Sequence, residues 1–249
     1  MPDQPTLFIT GAAKRIGAAI ARSFAQKGWR VIIHYHHSRQ EAETLQRELQ
    51  HYSPGHFIIQ ADLTDTNQRE KLLPDILTRI SHLDCLINNA STYHRGMLGE
   101  QSLIDIKKDY QLNFFAPFAL MQQYHQLCKT GQIINILDQR IYKTDPASGA
   151  YALAKKSLRD ATESSALEWA PDFRVNAVAP GLILPPRGET PEAVAKMNIL
   201  AKRIPMQKPT TKEEIASCCF FLAEASSITG EILCVDGGMH LQQSDYQEK

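Results

Sequence analysis

Short apolar runs alternate along the chain with longer segments whose apolar positions recur every three or four residues. The runs are apolar at nearly every position, which is typical of strands covered on both faces. They predict seven strands, at residues 7–9, 31–35, 56–60, 85–87, 133–137, 174–178 and 232–235. The segments between them predict helices around the stripe Ile16, Ile20 and Phe24, and at 39–50, 69–80, 103–108, 110–127 and 151–169.

This alternation predicts an α/β fold, a single Rossmann-like doubly wound parallel sheet with helices on both faces. Ligands of such sheets bind at the carboxyl ends of the strands. We expect one domain over 1–241, followed by a polar tail at 242–249. An insertion near 182–205 is a candidate lid or an ordinary surface connection. Within it, Thr190-Pro191-Glu192 predicts the start of a helix. After it, Thr211 and Glu214 predict a capping box for the next helix.

Composition narrows the possible partners. The 249 residues include 27 basic and 27 acidic side chains, so there is no general electrostatic case for binding nucleic acid or an anionic membrane. No basic leader with an apolar core and no apolar run of spanning length is present, so we expect a soluble cytoplasmic protein without a membrane partner. The five cysteines are unevenly spaced and predict reduced, buried thiols.

The first strand runs into Thr10-Gly11-Ala12-Ala13-Lys14-Arg15-Ile16-Gly17 and then a helix. In this context small residues let backbone N–H groups and the helix dipole hold a pyrophosphate. The alternative is a tight turn without a ligand. We favour a dinucleotide site.

The end of the second strand indicates which dinucleotide is bound. It reads His34-Tyr35-His36-His37-Ser38, without the carboxylate that usually bonds the ribose of NAD. Lys14 and Arg15 add cations, so the pattern predicts NADPH. A metal site at His34 and His36 is the alternative, but no cysteine or carboxylate stands close by in the sequence, and we predict no metal.

Two later strand ends carry further candidates. Asp62, followed by Leu63, is a candidate for the adenine amino group or a plain loop or capping aspartate. Asn88-Asn89-Ala90 could fix backbone near the cofactor, or form a simple turn.

Tyr151 and Lys155 stand four residues apart, on one face of a predicted helix, and Asp138 ends the fifth strand thirteen positions earlier. An ammonium beside a phenol favours phenolate, so we expect the pKa of Tyr151 to lie well below its usual value. That would make Tyr151 a proton donor for a reduction. Asp138 is a catalytic candidate or a strand-end turn residue, and Ser148 is expected to cap the helix.

These motifs together resemble the short-chain dehydrogenase/reductase family along almost the whole chain. The matching residues are Thr10-Gly11 with Gly17, Asn88-Asn89-Ala90, Asn113, Tyr151 with Lys155, Pro180-Gly181 and Asp236-Gly237-Gly238. The resemblance implies that Ile16, Pro180 and Gly181 line the cofactor and that Lys155 holds the nicotinamide ribose. It also implies that Asn113 carries a water that links Lys155 to solvent.

Two departures make the chain similar to the pteridine reductases of this family. Arg15 replaces a usual glycine, and Asp138 replaces the usual catalytic serine. The resemblance then implies that Ser91 contacts the cofactor and that Tyr93 stacks on the pterin. Arg15 is a candidate for reaching both the pyrophosphate and the pterin, and the alternative is that it binds phosphate alone. His37 stands where some relatives have an arginine, and Ile183 lacks a hydroxyl that relatives use. Relatives are commonly tetramers, so the resemblance implies a homotetramer.

The resulting prediction is an NADPH-dependent reductase of dihydropterins, such as dihydrobiopterin or dihydromonapterin, and of oxidised pterins and dihydrofolate. Tyr151 supplies the proton, and Asp138 accepts from pterin N–H groups or relays a proton to Tyr151. One alternative is a carbonyl reductase of 3-oxoacyl or xenobiotic substrates, which Asp138 disfavours because a carboxylate repels a developing alkoxide. Another alternative is a non-catalytic NADPH sensor.

Overall fold

The computed structural model describes residues 4–143, 145–183 and 190–242. Within them, seven strands form one sheet in which every neighbouring pair is parallel. The strands are β1 (Thr6–Ile9), β2 (Arg30–Tyr35), β3 (Phe57–Gln60), β4 (Cys85–Asn88), β5 (Gly131–Ile136), β6 (Phe173–Pro180) and β7 (Ile232–Val235). Their order, β3-β2-β1-β4-β5-β6-β7, confirms the predicted doubly wound sheet.

Helices cover both faces of the sheet. They are α1 (Arg15–Ala25), α2 (Arg39–Leu49), α3 (Thr66–Leu77), α4 (Leu103–Tyr110), α5 (Ala116–Leu127), α6 (Gly149–Glu168), α7 (Pro191–Ala201) and α8 (Lys212–Glu224). The predicted capping box of α8 is present. Among the helices in the described ranges, none is long and apolar enough to cross a membrane.

The two faces explain why the strands are apolar without alternation. In β1, Leu7 and Ile9 pack in a cluster with residues of α1, α2 and α8. Phe8 points the opposite way and packs with residues of α3, α5 and α6. Successive side chains of a strand point to opposite faces, so a sheet covered on both sides needs apolar residues at every position.

Two of the differences from the predicted helices have a clear physical cause. Helix α3 begins at Thr66 because the Asp65 carboxylate accepts from the Gln68 N–H across 3.1 Å and caps its first turn. The predicted helix 110–127 is divided by a π-helical turn, Gln111–Phe115. Pro117 has no N–H to donate to the carbonyl of Asn113, which removes one α-helical hydrogen bond at that point.

The strand order reverses between β1 and β4, which places a crevice at their carboxyl ends. Gly11 lies in the loop after β1, Asn89 after β4, Asp138 after β5 and Gly181 after β6. The topology therefore brings the predicted site residues of four separate loops to one edge of the sheet.

Candidate active site

Helix α6 carries Tyr151 and Lys155 one turn apart, and both side chains are buried. The N–H of Ala150 donates to Oε1 of Gln101 across 2.8 Å. This bond holds the first turn of α6 against the segment that leads into α4. The position of the phenol is therefore set by the start of the helix as well as by its packing.

Asp138 lies beside that phenol. The hydroxyl of Tyr151 donates to Oδ2 of Asp138 across 3.0 Å. Asp138 also opens a short 3-10 turn, Gln139–Ile141, where its Oδ1 accepts from the N–H of Arg140 across 2.9 Å. Asp138 is thus both a strand-end turn residue and a partner of Tyr151.

Arg140 is a member of the site that we did not predict. Its Nη1 lies 3.2 Å from Oδ1 and 3.1 Å from Oδ2 of Asp138, and its Nε donates to Oδ2 of Asp145 across 3.1 Å. Burial acts to lower the pKa of Arg140, but the two carboxylates outweigh it and raise that pKa. One permanently charged guanidinium therefore joins two carboxylates.

Asp145 connects this pair to Tyr93. Oδ2 of Asp145 accepts from the Ser148 hydroxyl across 2.7 Å, and Ser148 lies 3.4 Å from the hydroxyl of Tyr93. Ser148 occupies the residue before α6, but its side chain makes no capping hydrogen bond, so the predicted capping role is wrong. The Asp145 carboxylate is the stronger acceptor and takes the hydroxyl proton.

Tyr93 stands at the mouth of this cluster and is 44% exposed. Its ring meets that of Tyr151 edge-on, with centroids 4.8 Å apart and an interplanar angle of 73°. The guanidinium carbon of Arg140 lies 5.2 Å from the Tyr93 centroid. The predicted stacking residue is therefore next to the predicted proton donor, with aromatic surface open to a ligand.

The expected pKa of Tyr151 is wrong in direction. Burial and the Asp138 carboxylate raise the pKa of Tyr151 well above its usual value. The ammonium of Lys155 lies 5.9 Å from the Tyr151 centroid and donates to the carbonyl of Ile136 across 2.7 Å. Burial in turn lowers the pKa of Lys155 to about 8. The phenol is thus held in its protonated form.

Asn113 lies fully buried in the π-helical turn. Its Oδ1 accepts from the Ser91 hydroxyl across 2.6 Å, and its Nδ2 donates to the carbonyls of Thr92 and Asp109, both at 3.0 Å. Asn113 therefore fixes the loop that presents Ser91 and Tyr93. Such π turns are frequent at functional sites. The water relay to Lys155 stays a prediction.

The glycine loop after β1 is built for close approach. Gly11 has φ +61°, and a Cβ at Gly17 would lie 2.6 Å from the Gly11 carbonyl oxygen. Nδ2 of Asn89 donates to the carbonyls of Thr10 and Gly11 across 2.9 and 3.0 Å. The N–H of Ala90 donates to Oγ1 of Thr10 across 3.0 Å, so the β1 and β4 loops are tied together.

The two cations of this loop differ in their surroundings. Nζ of Lys14 pairs with Oε1 of Glu41 across 2.5 Å, a partner that we did not predict. Arg15 is exposed and begins α1 with φ +54°, in the left-handed region. Side chains other than glycine rarely adopt that region because Cβ crowds the backbone. Arg15 therefore occupies a position whose backbone geometry favours glycine.

His34, in the second strand, contacts the glycine loop after β1. His34 is buried, and burial lowers its pKa to about 4. Its Nδ1 accepts from the N–H of Gly11 across 3.0 Å, and its Nε2 donates to the carbonyl of Ala61 across 3.0 Å. His34 is thus a neutral part of the loop scaffold, with both ring nitrogens bonded.

The residues that follow form the outer rim. Tyr35 is buried, whereas His36 and His37 are more exposed, with ring centroids 3.5 Å apart. Ser38 precedes α2 without a side-chain capping bond. Nε2 of His36 lies 3.7 Å from Oδ2 of Asp62. Two imidazoles and one hydroxyl therefore lie at the rim where the 2′-phosphate is predicted, with the Asp62 carboxylate beside His36.

Asp62 also shapes its own loop. Its Oδ1 accepts from the N–H and the hydroxyl of Thr64 across 2.9 and 2.7 Å. Leu63 is buried, and its carbonyl accepts from Nη1 of Arg69 across 2.8 Å. The local turn role is present, and the adenine contact stays a prediction.

The loop after β6 closes the crevice. A Cβ at Gly181, next to Pro180, would lie 2.6 Å from that of Asp236. The carboxylate of Asp236 accepts from the N–H groups of Gly238 and His240 across 3.0 and 2.6 Å, which fixes this contact. Of the predicted lid near 182–205, residues 184–189 lie outside the described ranges, and α7 forms much of the rest.

The fold agrees with the comparison to known families. The family model described as enoyl-(acyl carrier protein) reductase matches residues 11–240. The chain therefore belongs to the short-chain dehydrogenase/reductase family of oxidoreductases.

Within that family, relatives with different names match about equally well. Pteridine reductase 1 of Leishmania tarentolae is 28% identical over 288 aligned positions, covering 98% of this chain and 99% of that protein. The 3-oxoacyl-[acyl-carrier-protein] reductase FabG of Staphylococcus aureus is 28% identical over 239 positions, covering 94% and 97%. The structure of FolM alternative dihydrofolate reductase 1 from Brucella canis, complexed with NADP, superposes with a TM-score of 0.88 at 29% identity, covering 98% of both chains.

Proposed function

We propose that this protein is an NADPH-dependent pteridine reductase that converts dihydropterins, and also oxidised pterins and dihydrofolate, to their reduced forms. The observation that carries the proposal is the 3.0 Å hydrogen bond from the Tyr151 hydroxyl to Oδ2 of Asp138. A carboxylate at this point can accept hydrogen bonds from N–H groups, and a pterin has several such groups. The carboxylate repels the negative charge that develops on a carbonyl oxygen during ketone reduction.

The residues of the crevice fit a dinucleotide. A Cβ at Gly11 would lie 2.9 Å from the Cα of Ala90, and the crowding at Gly17 is similar, so only glycine leaves the backbone open here. We assign the pyrophosphate to Gly11, Arg15 and Ile16 at the start of α1. The rim formed by His36, His37 and Ser38 would hold the 2′-phosphate.

The other cofactor-binding residues are assigned by their positions along the crevice. We assign the adenine side to Asp62 and Leu63 and the nicotinamide side to Asn89, Ala90, Ser91, Lys155, Pro180 and Gly181. Lys14 and Tyr35 complete the ribose side. When bound, NADPH supplies the hydride that the ring carbon of the pterin receives.

The chain itself supplies the proton. Because the pKa of Tyr151 is raised, its hydroxyl is protonated at neutral pH and can donate to the ring nitrogen beside the carbon that is reduced. Asp138 keeps this hydroxyl oriented, and its carboxylate can take up a proton from solvent and pass it to the phenolate that remains after the transfer. Buried Lys155, with a pKa of about 8, stabilises the phenolate while the proton is away. Tyr93 offers an aromatic surface to a flat heterocycle.

Two relatives support the pterin assignment, and one supports a second candidate. Pteridine reductase 1 and the FolM structure both match nearly the full length of the chain. The 3-oxoacyl reductase FabG matches at the same 28% identity, so reduction of 3-oxoacyl or xenobiotic carbonyls is the second candidate function. Asp138 separates the two candidates chemically.

The deciding experiment compares substrates on one enzyme preparation. NADPH oxidation would be followed with dihydrobiopterin, dihydromonapterin, biopterin and dihydrofolate, and in parallel with an acetoacetyl ester. We expect turnover with the dihydropterins at least about tenfold faster than with the ester. Faster turnover of the ester would establish the carbonyl reductase instead, and binding of NADPH without turnover of any substrate would establish a sensor.

We also propose a homotetramer and a cytoplasmic location. Large apolar side chains lie exposed on adjoining helices, including Leu103 and Ile104 of α4 and Leu153 of α6 at 75%, 66% and 41% exposure. All five cysteines are free thiols, which suits a reducing compartment. Light scattering on the purified protein should give four times 28.0 kDa, and the mass of a monomer would contradict this assembly.

A further inference from the structure

The proposed proton donor and the proposed stacking residue belong to one closed series of contacts. The series runs through Tyr151, Asp138, Arg140, Asp145, Ser148 and Tyr93, and it closes through the edge-on contact of the two tyrosine rings. In chain order these residues come from three segments: the loop after β4, the loop after β5 and the start of α6. Arg140 is the only cation in the series, and no step described so far uses it.

Arg140 is placed to control the orientation of the Asp138 side chain. Its Nη1 contacts both oxygens of Asp138, whereas its Nε is bonded to Asp145. A planar guanidinium held at two separate points cannot rotate freely, so it fixes the plane of the carboxylate that it contacts. Its side chain is 28% exposed and that of Asp138 only 16%, so solvent screens this pair weakly.

We propose that Arg140 is a positioning residue for the reaction: anchored by Asp145, it holds the Asp138 side chain in the orientation in which Oδ2 faces Tyr151 and the substrate. This inference rests on the proposed function, because the acceptor that it positions is the one assigned to pterin recognition and proton relay. Arg140 itself acts through Asp138 and is not assigned a contact with the substrate.

A role in folding alone makes different predictions from a positioning role. If Arg140 only stabilised the loop after β5, its replacement would lower stability and change every activity in proportion to the folded fraction. If it positions Asp138, its replacement lowers kcat for pterin reduction in protein that is folded and binds NADPH. The loss also depends on whether Asp138 is still a carboxylate.

The first measurement uses three variants and one control. We expect Arg140→Gln to lower kcat about 10- to 100-fold with the Kd for NADPH within twofold of the wild type. Arg140→Lys should recover part of that loss, since an ammonium keeps the charge but not the planar contact. Asp145→Asn should lower kcat about 3- to 10-fold. The control is Arg22→Gln, which breaks an equally well-formed guanidinium–carboxylate pair with Glu48, at 2.7 and 2.8 Å, and should leave kcat unchanged.

The second measurement is a double-mutant cycle with Asp138→Asn. In that background, Arg140→Gln should change kcat less than about threefold, because the group that Arg140 positions is no longer a carboxylate. An equal loss in both backgrounds would show that Arg140 acts independently of Asp138 and would overturn the inference. Wild-type kcat in Arg140→Gln would overturn it as well. If Arg140→Gln does not fold, the cycle is run with Arg140→Lys and with Asp145→Asn in place of it. An equal loss of kcat in both backgrounds, or a wild-type kcat in these variants, would again overturn the inference.

Failure of this inference is distinguishable from failure of the proposed function. The wild type is assayed first with dihydrobiopterin and with an acetoacetyl ester, and the cycle is run with whichever is turned over faster. Wild type that reduces only the ester removes the pterin assignment. In that case a strong dependence of the Arg140 effect on Asp138 would still support positioning, and additive effects would exclude it.

Discussion

The hydroxyl of Tyr151 donates to Oδ2 of Asp138 across 3.0 Å, so the proposed acid and its neighbouring carboxylate form one unit. Burial and the charge of Asp138 both raise the pKa of Tyr151, so the phenol is a weaker acid than a free tyrosine. The hydrogen bond also places beside the phenol a carboxylate that can pass on a proton taken up from solvent. Asp138→Ser and Tyr151→Phe each remove one half of this unit.

Replacing Asp138 by serine should lower pterin turnover by about 10²-fold while NADPH still binds. A serine hydroxyl accepts a hydrogen bond from an N–H group less strongly than a carboxylate does. It also cannot take up a proton from solvent and pass it to the phenolate as a carboxylate can. Stopped-flow or steady-state NADPH oxidation measures turnover, and quenching of protein fluorescence measures NADPH binding. Unchanged turnover of dihydropterin in Asp138→Ser would remove Asp138 from the mechanism.

Replacing Tyr151 by phenylalanine should lower reduction by about 10²- to 10⁴-fold, the usual contribution of a positioned acid. The ring still fills its buried position, and Arg140 still pairs with Asp138, so the fold should be preserved. Circular dichroism and NADPH binding provide the control. A folded Tyr151→Phe variant with wild-type turnover would mean that another group donates the proton.

Much of this site could be predicted because its residues stand at strand ends. The apolar runs determine which residues follow β1, β4 and β5, and parallel strands bring those residues to one edge. Tyr151 and Lys155 share a helix face through their spacing alone. Asp138 could be paired with Tyr151 because one follows a strand and the other lies on the next helix.

Arg140 could not be predicted in the same way. It stands two residues after Asp138, but the contact depends on the 3-10 turn that folds its side chain back, and on Asp145 approaching from the following loop. The predicted direction of the Tyr151 pKa is wrong for a related reason. Burial, which depends on tertiary packing, and the charge of Asp138 raise this pKa.

Lys155 should make stability depend on pH in the alkaline range. Burial lowers its pKa from 10.5 to about 8, so between these values the unfolded chain binds a proton that the folded protein does not. Stability contributed by this group therefore rises as pH increases from about 8 to about 10.5. Below pH 8 the buried ammonium is a cost of about 3 kcal/mol.

The Lys155→Met variant tests this sign. Methionine is uncharged and of similar length, so it should be more stable than the wild type at pH 7 and lose that advantage by pH 10.5. Urea unfolding at several pH values measures both free energies, and pterin reduction should fall in the variant. A difference in stability that does not change between pH 7 and 10.5 would contradict the burial of a charged ammonium.

His37 should contribute to the choice between NADPH and NADH. Its ring lies against that of His36, at the rim where no carboxylate follows the second strand. A carboxylate introduced there would repel a 2′-phosphate and accept from ribose hydroxyls, so His37→Asp should lower the NADPH-to-NADH affinity ratio roughly tenfold or more. Measuring both Kd values on the same variant cancels effects on overall stability. A ratio close to one in the wild type would contradict the proposed 2′-phosphate site.

Arg15 should show a conflict between stability and function. At φ +54° it occupies a backbone conformation that favours glycine, so Arg15→Gly should stabilise the protein by about 1 kcal/mol. The same change removes the cation assigned to the pyrophosphate and the pterin, and it should weaken NADPH binding and raise KM for dihydropterin. Gln207→Gly is the matched control, because Gln207 has φ +52° and is assigned no ligand. Both variants should unfold at a higher urea concentration than the wild type, and only Arg15→Gly should lose affinity for NADPH. An Arg15→Gly variant with wild-type NADPH affinity and wild-type KM would show that the guanidinium binds neither ligand.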